Sequence, residues 1–558
     1  KIKYSSNQLA KYIADAPVVV KNYIQSLEKQ VGNLANIGLA LSKEKNMSRL
    51  LEMILIEAKR IANSDGGTLY MMTDDNRLRF EIMMTDSLDF HMGGTSGKDI
   101  PFYPVKLYDE EGNPNKSMIA AYVGLTGDTV NISDAYKAKG FDFSGTKMFD
   151  EKTGYHSQSF LTVPLKNHED EIIGVLQLLN AQNNNTKKII PFASDIQKMV
   201  EALASQAAVA ITNKNLIKDL EALFESFIKL IASAIDAKSP YTGGHCARVP
   251  EITMLLAKAV QETIDGPFAD ISFTDKEMYE LKIAAWLHDC GKVATPEFVV
   301  DKSTKLETIY DRVNEVETRF AALKRDEQIK FLKNELKVER DDSFSKEEKL
   351  IKIKTLKSKY SKKLRELKSD LEFIKESNIG GEFMSGDKKD RVHNISNYRW
   401  KPNGKMENFL SEDEVYNLTI PRGTLTAEER KVINDHIVVT INMLEELPYP
   451  KHLKNVPEFA GGHHEKLDGT GYPKGLTKDE MSVQARIMAI ADIFEALTAK
   501  DRPYKKGKTL SQAMRILGFM KNDAHIDVDL FDIFVKDKIY LKYAEEHLDP
   551  DQIDEVQM

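Results

Sequence analysis

Apolar positions recur at spacings of three and four near the start of the chain: Ile24, Leu27, Val31, Leu34, Ile37 and Leu41, then Leu50, Leu51, Ile54 and Ala58. This rhythm predicts helices over residues 22–62. It then changes. After Asn63-Ser64-Asp65-Gly66-Gly67, the β-prone runs 68–72 and 78–83 flank the turn-forming Asp74-Asp75-Asn76, which reads as a hairpin. A second pair of runs, 159–165 and 172–180, flanks the polar turn Asn167-His168-Glu169-Asp170. A long helix is predicted over about 192–238. Helix, antiparallel sheet and flanking helices in that order describe an α+β domain over residues 30–215, behind a helical lead at 1–29. The linking helix, 197–238, keeps a stripe of Met199, Leu203, Ala207, Ala210, Leu216, Leu220, Leu223, Phe227 and Leu230. Packing on its own domain would produce such a stripe, and so would pairing with a second copy. We expect a homodimer.

Beyond the linking helix the periodicity stays helical, at 250–262, 277–288, 427–445, 483–500 and 509–520. Between the second and third of these the text changes character. Residues 313–373 are dense in Lys, Glu, Arg and Asp, with sparse apolar positions and a break at Asp341-Asp342-Ser343-Phe344-Ser345. This predicts an antiparallel helical hairpin inserted over 313–415, either a partner platform or a solvated decoration.

At 558 residues and 42% hydrophobic content the chain accommodates two to four domains with sizeable cores. A formal charge of −8 supplies no global basic field, so a nucleic-acid polymer is not an expected partner. No apolar run reaches the ~18 residues of a membrane helix. The start, Lys1-Ile2-Lys3-Tyr4, lacks a signal-peptide pattern, while beginning on Lys leaves room for an upstream segment. The two cysteines, Cys246 and Cys290, cannot form a disulfide framework; both read as small apolar fillers in a cytoplasmic protein.

The chemistry-bearing residues are few and ordered. Among 12 histidines, His463-His464 stands beside the Gly-rich segment Asp468-Gly469-Thr470-Gly471-Tyr472-Pro473, and His245, His288-Asp289, His436 and Asp492 complete a nitrogen-and-carboxylate set. Such ligands suit iron, manganese, nickel or zinc, and a carboxylate can bridge two ions where a single imidazole cannot. The set points to a polynuclear hydrolytic centre.

Two resemblances sharpen this reading. Phe149-Asp150-Glu151-Lys152-Thr153-Gly154-Tyr155 and the strand Gly174-Val175-Leu176-Gln177-Leu178-Leu179-Asn180 resemble a GAF domain. Lys147 with Phe149-Asp150-Glu151 is similar to the cyclic-nucleotide-binding subset, although the small-molecule ligand is unknown. The apolar run ending in His288-Asp289, followed by Gly291-Lys292, resembles the HD superfamily of phosphohydrolases. Together with His463-His464 and Gly471-Tyr472-Pro473 it is similar to the HD-GYP family over 235–547. That resemblance implies a GAF domain followed by an all-α helical bundle carrying the hairpin. It implies two divalent transition-metal ions, iron or manganese first. His288, Asp289 and Asp492, joined by His245, would centre on one ion, His436, His463 and His464 on the other, with Asp289 as the bridge. Lys292 would face the substrate phosphate, residues 468–473 would form the substrate-side loop, and Arg502 and Lys505 would grip the distal part of a cyclic dinucleotide. The implied reaction is hydrolysis of cyclic di-GMP to linear pGpG and onward to GMP. A cyclic GMP-AMP phosphodiesterase and an idle cyclic-dinucleotide receptor are the alternatives. Two departures stand out. Tyr241 occupies the position where some members carry a glutamate for a third metal, so a dinuclear site is expected. The spacing from His288 to His436, 148 positions, is far longer than usual.

Overall fold

A computed structural model of the chain describes residues 17–238, 244–499 and 507–557. It divides into two compact units, residues 1–222 and 223–558.

The first unit opens with helices α1 (Val18–Lys43) and α2 (Met47–Ala62). α1 runs on through the position where the helical lead was expected to give way. Asn63 closes α2 in the left-handed conformation, φ 45°. Strands β1 (Ser64–Met72), β2 (Arg77–Thr85), β3 (Phe90–Gly93) and β4 (Val105–Lys106) follow, then α3 (Ile119–Thr126), β5 (Val130–Ile132), α4 (Ser144–Thr153), β6 (Phe160–Lys166), β7 (Ile172–Gln182), β8 (Ile189–Ile190) and the long helix α5 (Ser194–Lys238). The sheet is ordered β3-β2-β1-β7-β6-β5, with β4 on β2 and β8 on β7, and every pair is antiparallel. Because strand side chains alternate, neighbours part to opposite faces. Leu69, Leu161 and Leu176 meet α1, α2 and the first half of α5, whereas Tyr70, Phe160 and Val175 join α3 in a second core.

The glycine pair of Asn63-Ser64-Asp65-Gly66-Gly67 lies within strand β1. Gly67 pairs with Leu178, and a Cβ there would lie 2.8 Å from Leu55 of α2. The glycines let a helix lie close against the sheet, which is a tertiary demand that local turn propensity does not report.

The second unit takes up the rest of α5 and continues with α6 (His245–Glu262), α7 (Asp275–Leu287), a 3₁₀ turn (Cys290–Ala294) and α8 (Glu297–Val300). The charged stretch forms α9 (Val313–Arg340) and α10 (Lys346–Ile379), the hairpin expected from its periodicity. More follows: α11 (Gly386–Ser396), the paired strands β9 (Arg399–Trp400) and β10 (Glu407–Asn408), and α12 (Glu412–Leu418). These share a core of Leu306, Val316, Phe320, Leu371, Ile374, Val392, Phe409 and Leu418, so the insertion is a folded lobe rather than a bare hairpin. The chain then runs through α13 (Ala427–Asn434), α14 (His436–Glu445), α15 (Val456–Gly461), α16 (Val483–Thr498), α17 (Leu510–Asn522), α18 (Val528–Lys536) and α19 (Ile539–His547). Ile228, Val249, Leu281, Leu287, Ile487, Phe494, Leu517 and Phe534 belong to one continuous core that joins these helices. Cys246 and Cys290 are free thiols buried in it. No helix among the described residues is long and apolar enough to cross a membrane.

Candidate metal centre

Each candidate ligand is delivered by an element that its local sequence dictates. A Thr274/Glu277 capping box starts α7, and Leu281, Ile283, Ala284 and Leu287 seat its apolar face, so His288 and Asp289 emerge where that helix ends. Gly291 then lets the 3₁₀ turn lie against α14. A Cβ at this position would stand 2.0 Å from the His436 carbonyl oxygen, while the Gly291 N–H donates to Thr440 Oγ1 at 2.9 Å. His436 opens α14, His463 and His464 follow α15, and Asp492 sits inside α16, started by the Ser482 cap.

These residues converge into two abutting groups, Asp289 with His436, His463 and His464, and His245 with His288 and Asp492. Asp289 faces both. Its Oδ1 lies 3.2 Å from His436 Nε2, and its Oδ2 lies 3.2 Å from His245 Nε2 and 3.3 Å from His288 Nε2. Asp492 Oδ1 is 3.2 Å from His245 Nε2 and 3.7 Å from His288 Nε2. Lys292 places its ammonium on Asp289 Oδ2, and a direct contact from Lys292 to a bound phosphate would have to share that proton donor.

The tautomers follow from the partners. His288 Nδ1 donates to the Ala285 carbonyl at 2.7 Å, His463 Nδ1 to that of Ala460 at 2.6 Å, and His436 Nδ1 to that of Ile433. His245 Nδ1 meets the buried Glu495 carboxylate, which also accepts from Arg248 Nε at 2.6 Å. In all four rings Nε2 points inward. His245 Nε2 and His288 Nε2 face each other at 3.3 Å, and buried His436 Nε2, His463 Nε2 and Asp289 Oδ1 have no hydrogen-bond partner among the described residues. Two imidazole nitrogens this close need a proton or a metal ion between them, so this donor set fits divalent metal ions.

The carboxylates make the centre favour positive charge, which the rings take up as protons when no metal ion competes. Burial opposes a charge on His245 and His288, yet Asp289 and Asp492, with Glu495 at His245, raise His245 well above the ordinary histidine value and His288 to about 9. Burial works against Asp289 and Asp492 as well, but Lys292 and the imidazoles at Asp289 and the imidazoles at Asp492 hold both carboxyls far below the usual range. Burial also keeps His463 and His464 neutral, His464 at about 4, so their lone pairs stay available.

The glycine-rich loop is built separately. Buried Glu465 accepts the Lys474 N–H at 2.7 Å and the Leu476 N–H at 2.9 Å, tying the loop ends. Asp468 accepts from the Thr470 N–H and hydroxyl within the loop itself. Gly469 has φ +78°, and Tyr472 stacks on His464 at 4.9 Å, so the loop borders the metal-ligand cluster. Pro473 follows through a cis bond. Arg502 and Lys505, and Tyr241 at the third-metal position, lie outside the described residues. Glu495, Glu465 and Thr440 went unforeseen; the one local signal is that Glu495 is a carboxylate three residues beyond Asp492 within an apolar helix.

In the first unit an aromatic cavity of about 460 Å³ is lined by Tyr70, Phe80, Phe102, Phe143, Phe149 and Tyr155 among others. Of the cyclic-nucleotide-like residues, Phe149 reaches it. Asp150 instead accepts from Tyr136 and Ser157, and Lys147 and Glu151 are exposed.

Comparison with known proteins bears on both units. Residues 46–211 match the family model of the GAF domain and residues 412–530 that of the HD domain. The chain carries a GAF domain and an HD domain. The HD match holds His436, His463, His464 and Asp492; His245, His288 and Asp289 lie upstream of it, beyond the inserted lobe. Among curated relatives, the chain is 39% identical over 107 residues to 3'3'-cGAMP-specific phosphodiesterase 3 of Vibrio cholerae, 19% of this chain and 22% of that protein. It is 45% identical over 74 residues to a cyclic di-GMP phosphodiesterase of Pseudomonas aeruginosa, 13% and 17% respectively. The chain thus spans about a fifth of the length of these relatives. The GAF domain of an Acinetobacter phosphoenolpyruvate-protein phosphotransferase aligns with a TM-score of 0.25 and 16% identity, covering 34% of this chain and 98% of that one.

Proposed function

We propose that the HD domain hydrolyses a phosphodiester of a cyclic dinucleotide, cyclic di-GMP first, giving linear pGpG and then GMP. The observation that carries this reading is the inward convergence of imidazole nitrogens and two carboxylates around Asp289. His245, His288 and Asp492 would hold one ion and His436, His463 and His464 the other, with Asp289 between them. When bound, two divalent ions, iron or manganese, lower the pKa of a water and offset phosphate charge. The chain's own groups do the rest. Lys292, whose ammonium lies on Asp289, would meet a phosphate oxygen, and Glu495 would fix the His245 ring with its Nε2 inward. The loop held by Glu465 offers Asp468, Gly469, Thr470, Gly471, Tyr472 and Pro473 to the substrate, and Arg502 and Lys505 are assigned to its far side. No serine or cysteine nucleophile is required, because water attacks phosphorus while the P–O3' bond breaks and the 3' oxygen takes up a proton.

A second reading, 3'3'-cyclic GMP-AMP, is favoured by the names of several relatives, which are specific for that dinucleotide. The chemistry is shared, so kcat/KM for both substrates, after anaerobic reconstitution with Fe(II) and with Mn(II), decides between them. Asp289→Ala is expected to abolish turnover of either and to strip metal. Tight dinucleotide binding without turnover in both reconstituted forms would replace the enzyme with a receptor.

The aromatic cavity of the GAF domain suits a small ring-bearing regulator. On α5, Leu216, Leu220, Leu223, Phe227 and Leu230 are all more than half exposed and follow a four-three spacing, which supports a homodimer through this helix. The two free thiols suit a reducing cytoplasm.

A further inference from the structure

The last turn of α5 reaches two of the segments that carry the metal-ligand set. Asp236 Oδ2 accepts the Gly244 N–H at 3.1 Å, and Oδ1 accepts the Cys246 N–H at 3.4 Å. These amides bracket His245 at the start of α6, where Gly244 has no side chain with which to cap the helix. Two residues on, Lys238 Nζ donates to the carbonyls of Lys292 at 3.2 Å, Val293 at 2.5 Å and Thr295 at 2.7 Å, the far end of the turn that follows Asp289. Residues two apart on a helix point in widely different directions, so one turn of α5 grasps both segments at once. Each charge complements the backbone groups it meets, anion to N–H and cation to C=O. Higher on α5, Glu225 pairs with Lys282 at 3.1 Å, and Ile228, Ala232 and Ile235 are buried in the same core as α7. The helix is therefore seated before its last turn reaches out.

We propose that Asp236 and Lys238 are positioning residues that set the separation between His245 and Asp289, and through it the affinity of the centre for metal. Neither touches the reacting atoms. Between His245 Nε2 and Asp289 Oδ2 there is 3.2 Å, and an ion held between such groups tolerates displacements of only a few tenths of an ångström. This inference rests on the metal-centre reading, but not on the identity of the substrate.

The test is titration of the metal-free full-length chain with Co(II) alone, followed by its visible d–d absorption. Lys238→Met and Asp236→Asn are expected to weaken Co(II) binding by about tenfold or more and to alter the band shape, at unchanged far-UV circular dichroism. Lys238→Arg should recover most of the loss, since it restores a cation able to reach the same carbonyls. In turnover, kcat should fall with KM little changed. Wild-type Co(II) affinity and spectrum in Lys238→Met would overturn the proposal. Should that variant fail to fold, Asp236→Asn, which keeps the side-chain size, decides by the same criteria. A wild-type chain that binds Co(II) but cleaves no cyclic dinucleotide would refute the proposed substrate while leaving the clamp standing.

Discussion

Gly291 shows how one missing side chain permits the centre. Its Cα lies so close to the start of α14 that an added Cβ would overlap the His436 carbonyl oxygen at 2.0 Å and crowd the Thr440 nitrogen at 2.5 Å. Gly291→Ala is therefore expected to push Asp289 away from His436. Metal content by elemental analysis should fall severalfold or more while helical content is largely kept; full metal loading would show that the turn relaxes harmlessly. At this scale the sequence announced the histidines and aspartates, because ligands must be of particular chemical types and stand in order. It did not announce Glu495, Glu465 or Thr440. Their partners are as far off as His245, 250 positions from Glu495, and beyond the setting of Glu495 in an apolar helix nothing local distinguishes them from ordinary polar residues.

Among the elements, the inserted lobe carries its own electrostatic pin. Glu414, at the start of α12, is 2% exposed and accepts a two-pronged contact from Arg319 of α9 at 2.7 and 2.8 Å. Burial works against its charge, yet Arg319 and the Ser411 N–H hold its carboxyl below the ordinary value of 4.5. A carboxyl depressed in the folded state stabilises above its unfolded pKa and loses that contribution as pH falls through the folded value. Hydrogen-exchange protection of the lobe should accordingly decline below about pH 4.5 in the wild type. Glu414→Gln should remove that component and destabilise the lobe at neutral pH by about 1–2 kcal/mol, because the part-buried Arg319 guanidinium loses the nearer of its two carboxylate partners and keeps only Glu315. Protection that declines equally in both proteins would assign the acid sensitivity to another group. The lobe's two long helices were legible from their three-four rhythm. Its small core was not, since Phe409 lies in the bend after β10 and Val392 in the short helix α11, outside the long periodic runs.

For the molecule as a whole, α5 is one unbroken element from Ser194 to Lys238. Its first half is buried with the sheet through Val200, Leu203, Ala207 and Ile211, and its middle exposes Leu216, Leu220, Leu223 and Phe227. Replacing Leu220 and Phe227 together by Glu should convert a dimer into a monomer in light scattering at micromolar concentration; an unchanged mass would remove the helix from the interface. The domain order, sheet and helical half could be read from periodicity, whereas the first half of the metal-ligand set falls outside the matched HD segment because the lobe separates it from the second. That separation has a consequence for how the protein is made. A ribosome adding roughly 5–20 residues per second delivers His288 and Asp289 at least several seconds ahead of His436, and Asp492 later still. During that interval the lobe can close on its own core while an incomplete set of ligands waits. The full candidate set exists only once Asp492 has been made, so any metal held by all of these residues together would be captured late in biogenesis.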